Sequence, residues 1–355
     1  MSARLKGIYD RIGLPRLIII SFFLLLLISA QPLGLSIPNL LGDSLRRWAM
    51  YGILVLAMVP AIQSGIGPNF GISLGIVGGL LGATISIELG IANPWLSIAV
   101  AMLVGTAIAG LMGIAYGMLL NRVKGSEMTV STYVGFSVIA FMNIMWLALP
   151  FKNGELIWPL GGVGMRNTIS LSSSFAHVFN HTPLSFSIGG EGGLYIPTVL
   201  ILFFLLTCFL MWLFMRSKTG LAMSAAGANP QFTRATGINV NKMRIIGTAI
   251  STALGAVGII TYAQSYGFLQ LYNAPLMMGF HSVAAVLIGG ASTRKATITQ
   301  VIIGAFLFQG LLAVALPVAN KVLPSSNLAD VIRIIISNGI ILFALSKTKG
   351  GGSGE

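Results

Sequence analysis

Side chains able to bind a metal or to do acid–base work are scarce in this 355-residue chain: three histidines, one cysteine and eight acidic residues. His177 and His181 stand four apart, a spacing that suits a metal ion on one face of a helix. No acid or thiol accompanies them, so they read as solvated loop histidines. His281, in the apolar stretch Gly279-Phe280-His281-Ser282, reads as a hydrogen-bonded core residue unless a pathway passes it. Cys208 lies alone in an apolar run and reads as a small buried hydrophobe. The chain carries no His-Glu-x-x-His zinc motif, no Gly-x-Ser-x-Gly elbow and no Walker-type phosphate loop. It is therefore expected not to be an enzyme, to hold no cofactor or metal of its own and to hydrolyse no nucleotide itself.

The elements that carry these residues belong in a membrane. Hydrophobic residues make up 55% of the chain and charged residues 8%, with a mean hydropathy of +0.89. A soluble domain carries about 25% charged residues, so this chain cannot cover a globular surface. Many apolar runs approach the ~20 residues that span a bilayer. A β-barrel needs alternating segments, whereas Leu200–Phe214 is apolar on nearly every face. The expected fold is all-α and polytopic, with about ten spans near 15–35, 48–63, 68–90, 93–120, 128–150, 193–215, 245–266, 275–292, 297–318 and 328–346. The basic start followed by Leu17–Ala30 resembles a signal peptide, with a weak cleavage site at Ile28-Ser29-Ala30. So many later spans favour an uncleaved first helix. Residues 1–349 read as a single transmembrane domain. The last six, Gly350–Glu355, have the composition of an appended linker and are set aside.

Charge orients the helices. With both termini inside, the inner segments carry Arg4, Lys6, Arg11, Arg16, Arg122, Lys124, Arg216, Lys218, Arg234, Lys242, Arg244, Arg294, Lys295, Lys347 and Lys349. The outer segments carry only Arg46, Arg47, Lys152, Arg166 and Lys321, while Arg333 falls in the last helix. That bias follows the positive-inside rule and places 151–192 outside. It also accounts for the net charge of +13 without nucleic acid as a partner. Asp10, Asp43, Glu155, Glu191 and Glu355 fall in water-facing segments, and Glu88, Glu127 and Asp330 near helix ends. No acid sits clearly at a midplane, where ion-driven carriers keep one for coupling. The energy source is expected to lie in another chain, which weakens the alternative of a self-sufficient secondary carrier or channel.

Glycine is abundant, at 44 residues. Gly71, Gly75, Gly78, Gly79 and Gly82 in one run, and Gly105, Gly110, Gly113 and Gly117 in the next, suit close helix packing. Two runs look interrupted, at Ser64–Leu74 (SGIGPNFGISL) and at Asn273–Ser282 (NAPLMMGFHS). If helices two to five and seven to ten are inverted repeats, the breaks match, a pointer to a translocation pathway. Asn69, Phe70, Ser73, His281 and Ser282 then become candidates for lining it, with Tyr262 and Gln264 as further polar residues of the same path. Such a path suits a small neutral solute.

The densest patterned polarity lies at 216–244. Lys218-Thr219-Gly220 reads as the end of the sixth helix, with glycine as the stop. Leu221–Ala226 favours helix, and Gly227-Ala228-Asn229-Pro230 is a turn. Gln231–Ala235 restarts a helix with Pro230 at its first position, and Gly237-Ile238-Asn239 ends it. The expected product is two short helices joined by a sharp elbow against the cytoplasmic face.

On these residues the chain resembles permeases of bacterial ATP-binding-cassette importers, in the branch serving ribose and other simple sugars, nucleosides and autoinducer-like molecules. The matching positions are Gly220, Ala225, Ala226, Gly227, Asn229, Arg234, Gly237 and Ile238, joined farther on by Ser282–Ser292 (SVAAVLIGGAS). Where the family often has Gly-Ile-Asp-Leu-Ser-Val-Gly, this chain has Gly67-Pro68-Asn69-Phe70-Gly71-Ile72-Ser73-Leu74-Gly75. The aspartate is absent, which separates this chain from the sugar members at that position and leaves the solute a simple sugar or nucleoside-like molecule. The resemblance implies two permeases, alike or different, forming the path in the bacterial inner membrane. It further implies two cytosolic ATPases holding ATP and magnesium, and a soluble or lipid-anchored binding protein delivering solute. The elbow from Ala225 to Gly237, Pro230 included, would contact the ATPase.

Overall fold

The computed structural model describes residues 14–157, 164–180, 184–188 and 193–322, with Ile335, Asn338, Gly339 and Leu342 beyond them. The expected tenth helix, Arg4, Lys6, Arg11, His181, Glu191, Asp330, Arg333 and the last six residues lie outside the described residues or almost wholly so. Helices α1 (Leu14–Ala30), α2 (Ile37–Leu56) and α3 (Met58–Gln63) open the described chain. After a 3₁₀ turn at Phe70–Ile72 come α4 (Ser73–Glu88), α5 (Pro94–Arg122) and α6 (Glu127–Ala148). Strands β1 (Thr168–Ser170), β2 (Phe186–Ile188) and β3 (Leu194–Ile196) lead to α7 (Thr198–Arg216). Two short helices, α8 (Lys218–Ala228) and α9 (Pro230–Ala235), precede α10 (Val240–Tyr266). Strand β4 (Phe268–Gln270), α11 (Ala274–Ile288) and α12 (Ile298–Val322) follow.

Among the described residues, seven helices are long and apolar enough to cross a membrane, taking α2 with α3 and the 3₁₀ turn with α4 as single rods. Arg16–Ala30 and Ala274–Ile288 are shorter apolar helices. The protein is a multi-pass membrane protein, and its described residues are mostly helical, with two small antiparallel ladders that the all-α expectation omitted. In these, β1 pairs with β4, Ile169 facing Leu269, and β2 pairs with β3, Ser187 facing Tyr195.

One boundary differs markedly from the hydropathy reading. The second span begins at Ile37, not near 48, and so carries Arg46 and Arg47 inside a helix. Pro38 occupies its first turn, where a missing N–H costs nothing. Arg46 pairs with Asp43 at 3.0 Å, and its guanidinium lies 5.8 Å from the Tyr266 ring. A polar first turn at a membrane surface is invisible to a search for apolar runs.

Helix α4 is the axis of the bundle: 83% of its apolar window is buried, against 28% for α5, 28% for α6 and 22% for α7. Those three turn large residues such as Leu111, Phe141 and Leu202 outward, as lipid-facing helices do. Small residues let α4 sit so deep. A side chain at Gly75 would strike the Thr252 backbone of α10, and one at Gly78 would lie 2.9 Å from Ala109 of α5. Gly82 packs on Ala101 and Gly105. Lipid offers no hydrophobic drive between helices, so this contact depends on backbone approach. Gly110, by contrast, faces open space. Gly75→Leu is expected to lower the detergent-solubilised melting point by the equivalent of ~1–3 kcal/mol of overpacking. Gly110→Leu should change it by less than ~0.5 kcal/mol, both read by fluorescence-detected size exclusion after heating.

Candidate functional site

The elbow at 216–244 is formed by three side-chain caps. Helix α7 stops at Arg216 because Ser217 is extended (φ −70°, ψ 164°), and the Ser217 hydroxyl accepts from the Gly220 N–H at 3.2 Å. Gly220 is therefore in the first turn of α8 and not the stop of the sixth span. A Cβ there would strike the backbone of Phe214 and Met215, so close approach explains the glycine. The turn is also narrower than expected, since Gly227 and Ala228 still belong to α8. Only Asn229 is extended (φ −147°, ψ 92°), and its Oδ1 accepts from the Phe232 N–H at 3.0 Å, with Pro230 opening α9. Gly237 (φ +82°) reverses the chain, and Asn239 caps α10 by accepting from the Lys242 N–H at 3.0 Å.

Two faces result. Ala226, with Met223, Val240 and Met243, forms a small buried cluster against which Ile238 packs, while Ala225 is half-buried. Gly227 lies on the backbone of Gln63 and Gly65, its Cβ position 2.9 Å from the Gly65 nitrogen. Asn229, Pro230, Arg234 and Gly237 are exposed, and so are Leu221 and Phe232 at 61% and 66%. Sequence reasoning missed those two; their signal was large apolar residues among small and polar neighbours on short amphipathic turns.

The break seated under Gly227 is real. Helix α3 ends at Gln63, and Gly65 (φ +79°) and Gly67 (φ +90°) take left-handed turns closed to most side chains. Asn69 is 1% exposed; its Nδ2 donates to Ser251 Oγ at 2.8 Å and its Oδ1 accepts from Tyr116 Oη at 3.2 Å. The second expected interruption is instead a helix start. Pro275 lies in the first turn of α11, which runs unbroken through Gly279. Proline there loses no helical hydrogen bond. The starts of α4 and α11 meet: Ser73 Oγ donates to the Pro275 carbonyl at 3.0 Å, and the Phe70 and Phe280 rings are 5.5 Å apart.

Phe70 and Ser73 thus come together with Gly279 and Phe280, Asn69 is tied instead to Ser251 and Tyr116, and the other candidates do not join them. Ser282 is buried and donates to Met278 within its own helix at 2.7 Å. His281 lies 5.6 Å from the Phe308 ring on α12. Tyr262 stacks between Tyr51 and Tyr266, at 5.1 and 4.7 Å. Gln264 is fully buried under the loop opposite the elbow: its Oε1 accepts from the Phe179 N–H at 3.1 Å and its Nε2 donates to Ser265 Oγ at 2.9 Å.

Three cavities lie along α6 and the two helix starts. Beside the elbow, a space of about 590 Å³ is lined by Gly65–Gly67, Gly125–Thr129, Gly227, Ala228, Pro230, Thr293 and Arg294. A separate constricted space of about 10 Å³ lies between Phe70, Ser73, Thr132, Gly135, Phe136 and Phe280. That holds about one water at most. A third space, about 430 Å³ and open to the surface, lies beside Leu147, Met165, Asn167, Tyr272 and Asn273. Burial raises the Tyr272 phenol above its ordinary pKa. The constriction carries no ionisable side chain, and no cluster of three or more metal-ligating groups occurs among the described residues.

The described residues thus form a glycine-packed helical bundle with an elbow at one end and a constricted space within it, and the family match gives its class, a membrane permease. Residues 40–344 match the family described as permease components of branched-chain amino acid transport systems, and the chain belongs to that family. It is 27% identical over 300 residues to the galactofuranose transporter permease YtfT of Escherichia coli, covering 78% of this chain and 85% of that one. Identity to the ribose import permease RbsC of Haemophilus influenzae is 25% over 275 residues, 77% and 75% of the two chains. The tyrosine transport system permease of Clostridioides difficile is 30% identical over 179 residues, 46% of this chain and about half, 56%, of that one. No solved structure matches the chain.

Asn69 holds three elements at the break through two buried hydrogen bonds. Asn69→Leu should therefore lose ~1–3 kcal/mol of stability by stranding Ser251 and Tyr116. Tyr116→Phe should lose less, and thermal melts of the purified variants rank the two.

Proposed function

We propose that this chain is the permease subunit of an ATP-driven importer for a small neutral solute, in the simple-sugar or nucleoside-like range. It works in the bacterial inner membrane with a second permease, identical or different. Two cytosolic ATPases bind ATP and magnesium, and a soluble or lipid-anchored binding protein delivers the solute. About ten spans, with both termini and the elbow inside, accord with the bias of basic residues. The lipid-facing sides of α5, α6 and α7 supply the contact with the bilayer.

The observation that carries this reading is the seating of Gly227 on the Gln63–Gly65 backbone. An ATPase gripping the exposed face around Leu221, Asn229, Phe232 and Arg234 would push through Gly227 on the one break that leads straight to Asn69, Phe70 and Ser73. Movement of that break against α11 would part Phe70 from Phe280 and open the constriction, a switch between packed arrangements. The uncharged walls there support a neutral solute, and the sugar permeases among the relatives accord with one.

The test is purification of the chain with its partners. A protein with a phosphate-binding loop should copurify, and reproducible absence of one with uptake intact would falsify the proposal. Within that complex, Arg234→Glu and Gly227→Leu should each cut the link between ATP hydrolysis and uptake by about 5- to 150-fold, the range of ordinary coupling energies. Membrane insertion should be unchanged. If both variants still take up solute in proportion to ATP hydrolysed, the contact lies elsewhere.

A further inference from the structure

A buried ion pair lies beside the elbow. Arg244, in the first turns of α10, donates to Glu127 at the start of α6 at 2.5 Å, and the two side chains are 9% and 14% exposed. Arg244 Nη2 also lies 3.4 Å from the Leu120 carbonyl of α5, and Glu127 accepts from the Gly125 N–H at 2.8 Å. Asn241 adds two ties: its carbonyl accepts from Asn121 at 2.9 Å and its Oδ1 from Lys124 at 3.0 Å. The first turns of α10, which continue directly from the elbow, are thus clamped to the loop that leads into α6.

Burying two charges costs desolvation that their attraction only roughly repays, so such a pair is weak evidence of stability and better evidence of a registering role. The helix it holds has the right consequence: Glu127 lines the cavity beside the elbow, and Thr132 and Phe136 of the same helix line the constriction.

We infer that Arg244 and Glu127 are the positioning pair that transmits elbow movement to α6, a second route to the constriction alongside the Gly227 contact. The inference rests on the proposed coupling role of the elbow. In it α6 moves as a rod with α10 while the pair is intact and stays behind when the pair is cut.

The test uses the complete complex in lipid nanodiscs with ATP, magnesium and orthovanadate as the trapping reagent, in a Cys208→Ser background. Spin labels at Ala235→Cys and Leu111→Cys report the elbow; labels at Ser137→Cys and Leu111→Cys report α6. Without substitution, both distances should shift on trapping, by about 2 Å or more for helix movements of this kind. With Glu127→Gln, or with Arg244→Met, the elbow distance should still shift and the α6 distance should not. Arg244→Lys keeps the charge pair and should keep the α6 shift. The elbow reading, taken on the same samples, certifies a folded and assembled complex. An α6 shift that survives both cuts overturns the pair's role while the elbow's role stands. An elbow that does not move in the uncut protein overturns the coupling reading and this inference with it.

Discussion

Backbone that leaves a helix inside a membrane must find its hydrogen-bond partners in protein, because lipid supplies none. The segment from Ser64 to Ile72 meets that constraint locally and by neighbours. The Gly65 and Ile66 N–H groups donate back to Ile62 and Ala61 at 3.1 and 3.2 Å, and Ile72 donates to Asn69 at 3.3 Å. The Asn69 side chain then ties the segment to α10 through Ser251 and to α5 through Tyr116. The Asn69 end of the break is enclosed by other helices, and α4, which follows it, is the most buried of the long helices described.

Enclosure on this scale requires backbones that nearly touch. Gly75, Gly78 and Gly82 give α4 that freedom on two sides, and Gly113 and Gly117 extend it along the contact between α5 and α10. A close-packed interface resists continuous deformation and shifts between discrete arrangements. The elbow is built in the same manner, with Gly227 set on the break where no side chain fits. In the proposed coupling, force on the exposed face of α8 and α9 would reach the helix starts through Gly227. The Arg244–Glu127 pair adds a polar tie between α10 and the start of α6.

Apolar run length, the positive-inside bias and the two short helices of the elbow with Pro230 opening the second were all legible in the chain, because each depends on neighbours within one or two turns. The same locality set the errors. Gly220 looked like a stop because glycine ends helices, yet Ser217 had already ended α7 and capped the next helix. Pro275 and Gly279 looked like an interruption, yet proline in a first turn merely starts α11. Tyr262 and Gln264 were polar residues on an apolar helix, and nothing local distinguishes a path-lining side chain from one that meets Tyr51 or Phe179.

What the sequence by itself determined is the membrane environment, the helical class and the elbow, since composition and short-range periodicity follow directly from transfer energies and local hydrogen bonding. Only the tertiary structure decided which residues share a place. Ser73 and Pro275 are 202 positions apart, and Arg244 and Glu127 are 117 apart. Helix α4 is apolar all round, so no stripe announces which of its faces meets α5, α10 or α11. In a bilayer the usual cue, apolar inward and polar outward, is lost because lipid is as apolar as the core. Partner choice then falls to shape, to glycines that admit a backbone and to a few buried polar ties.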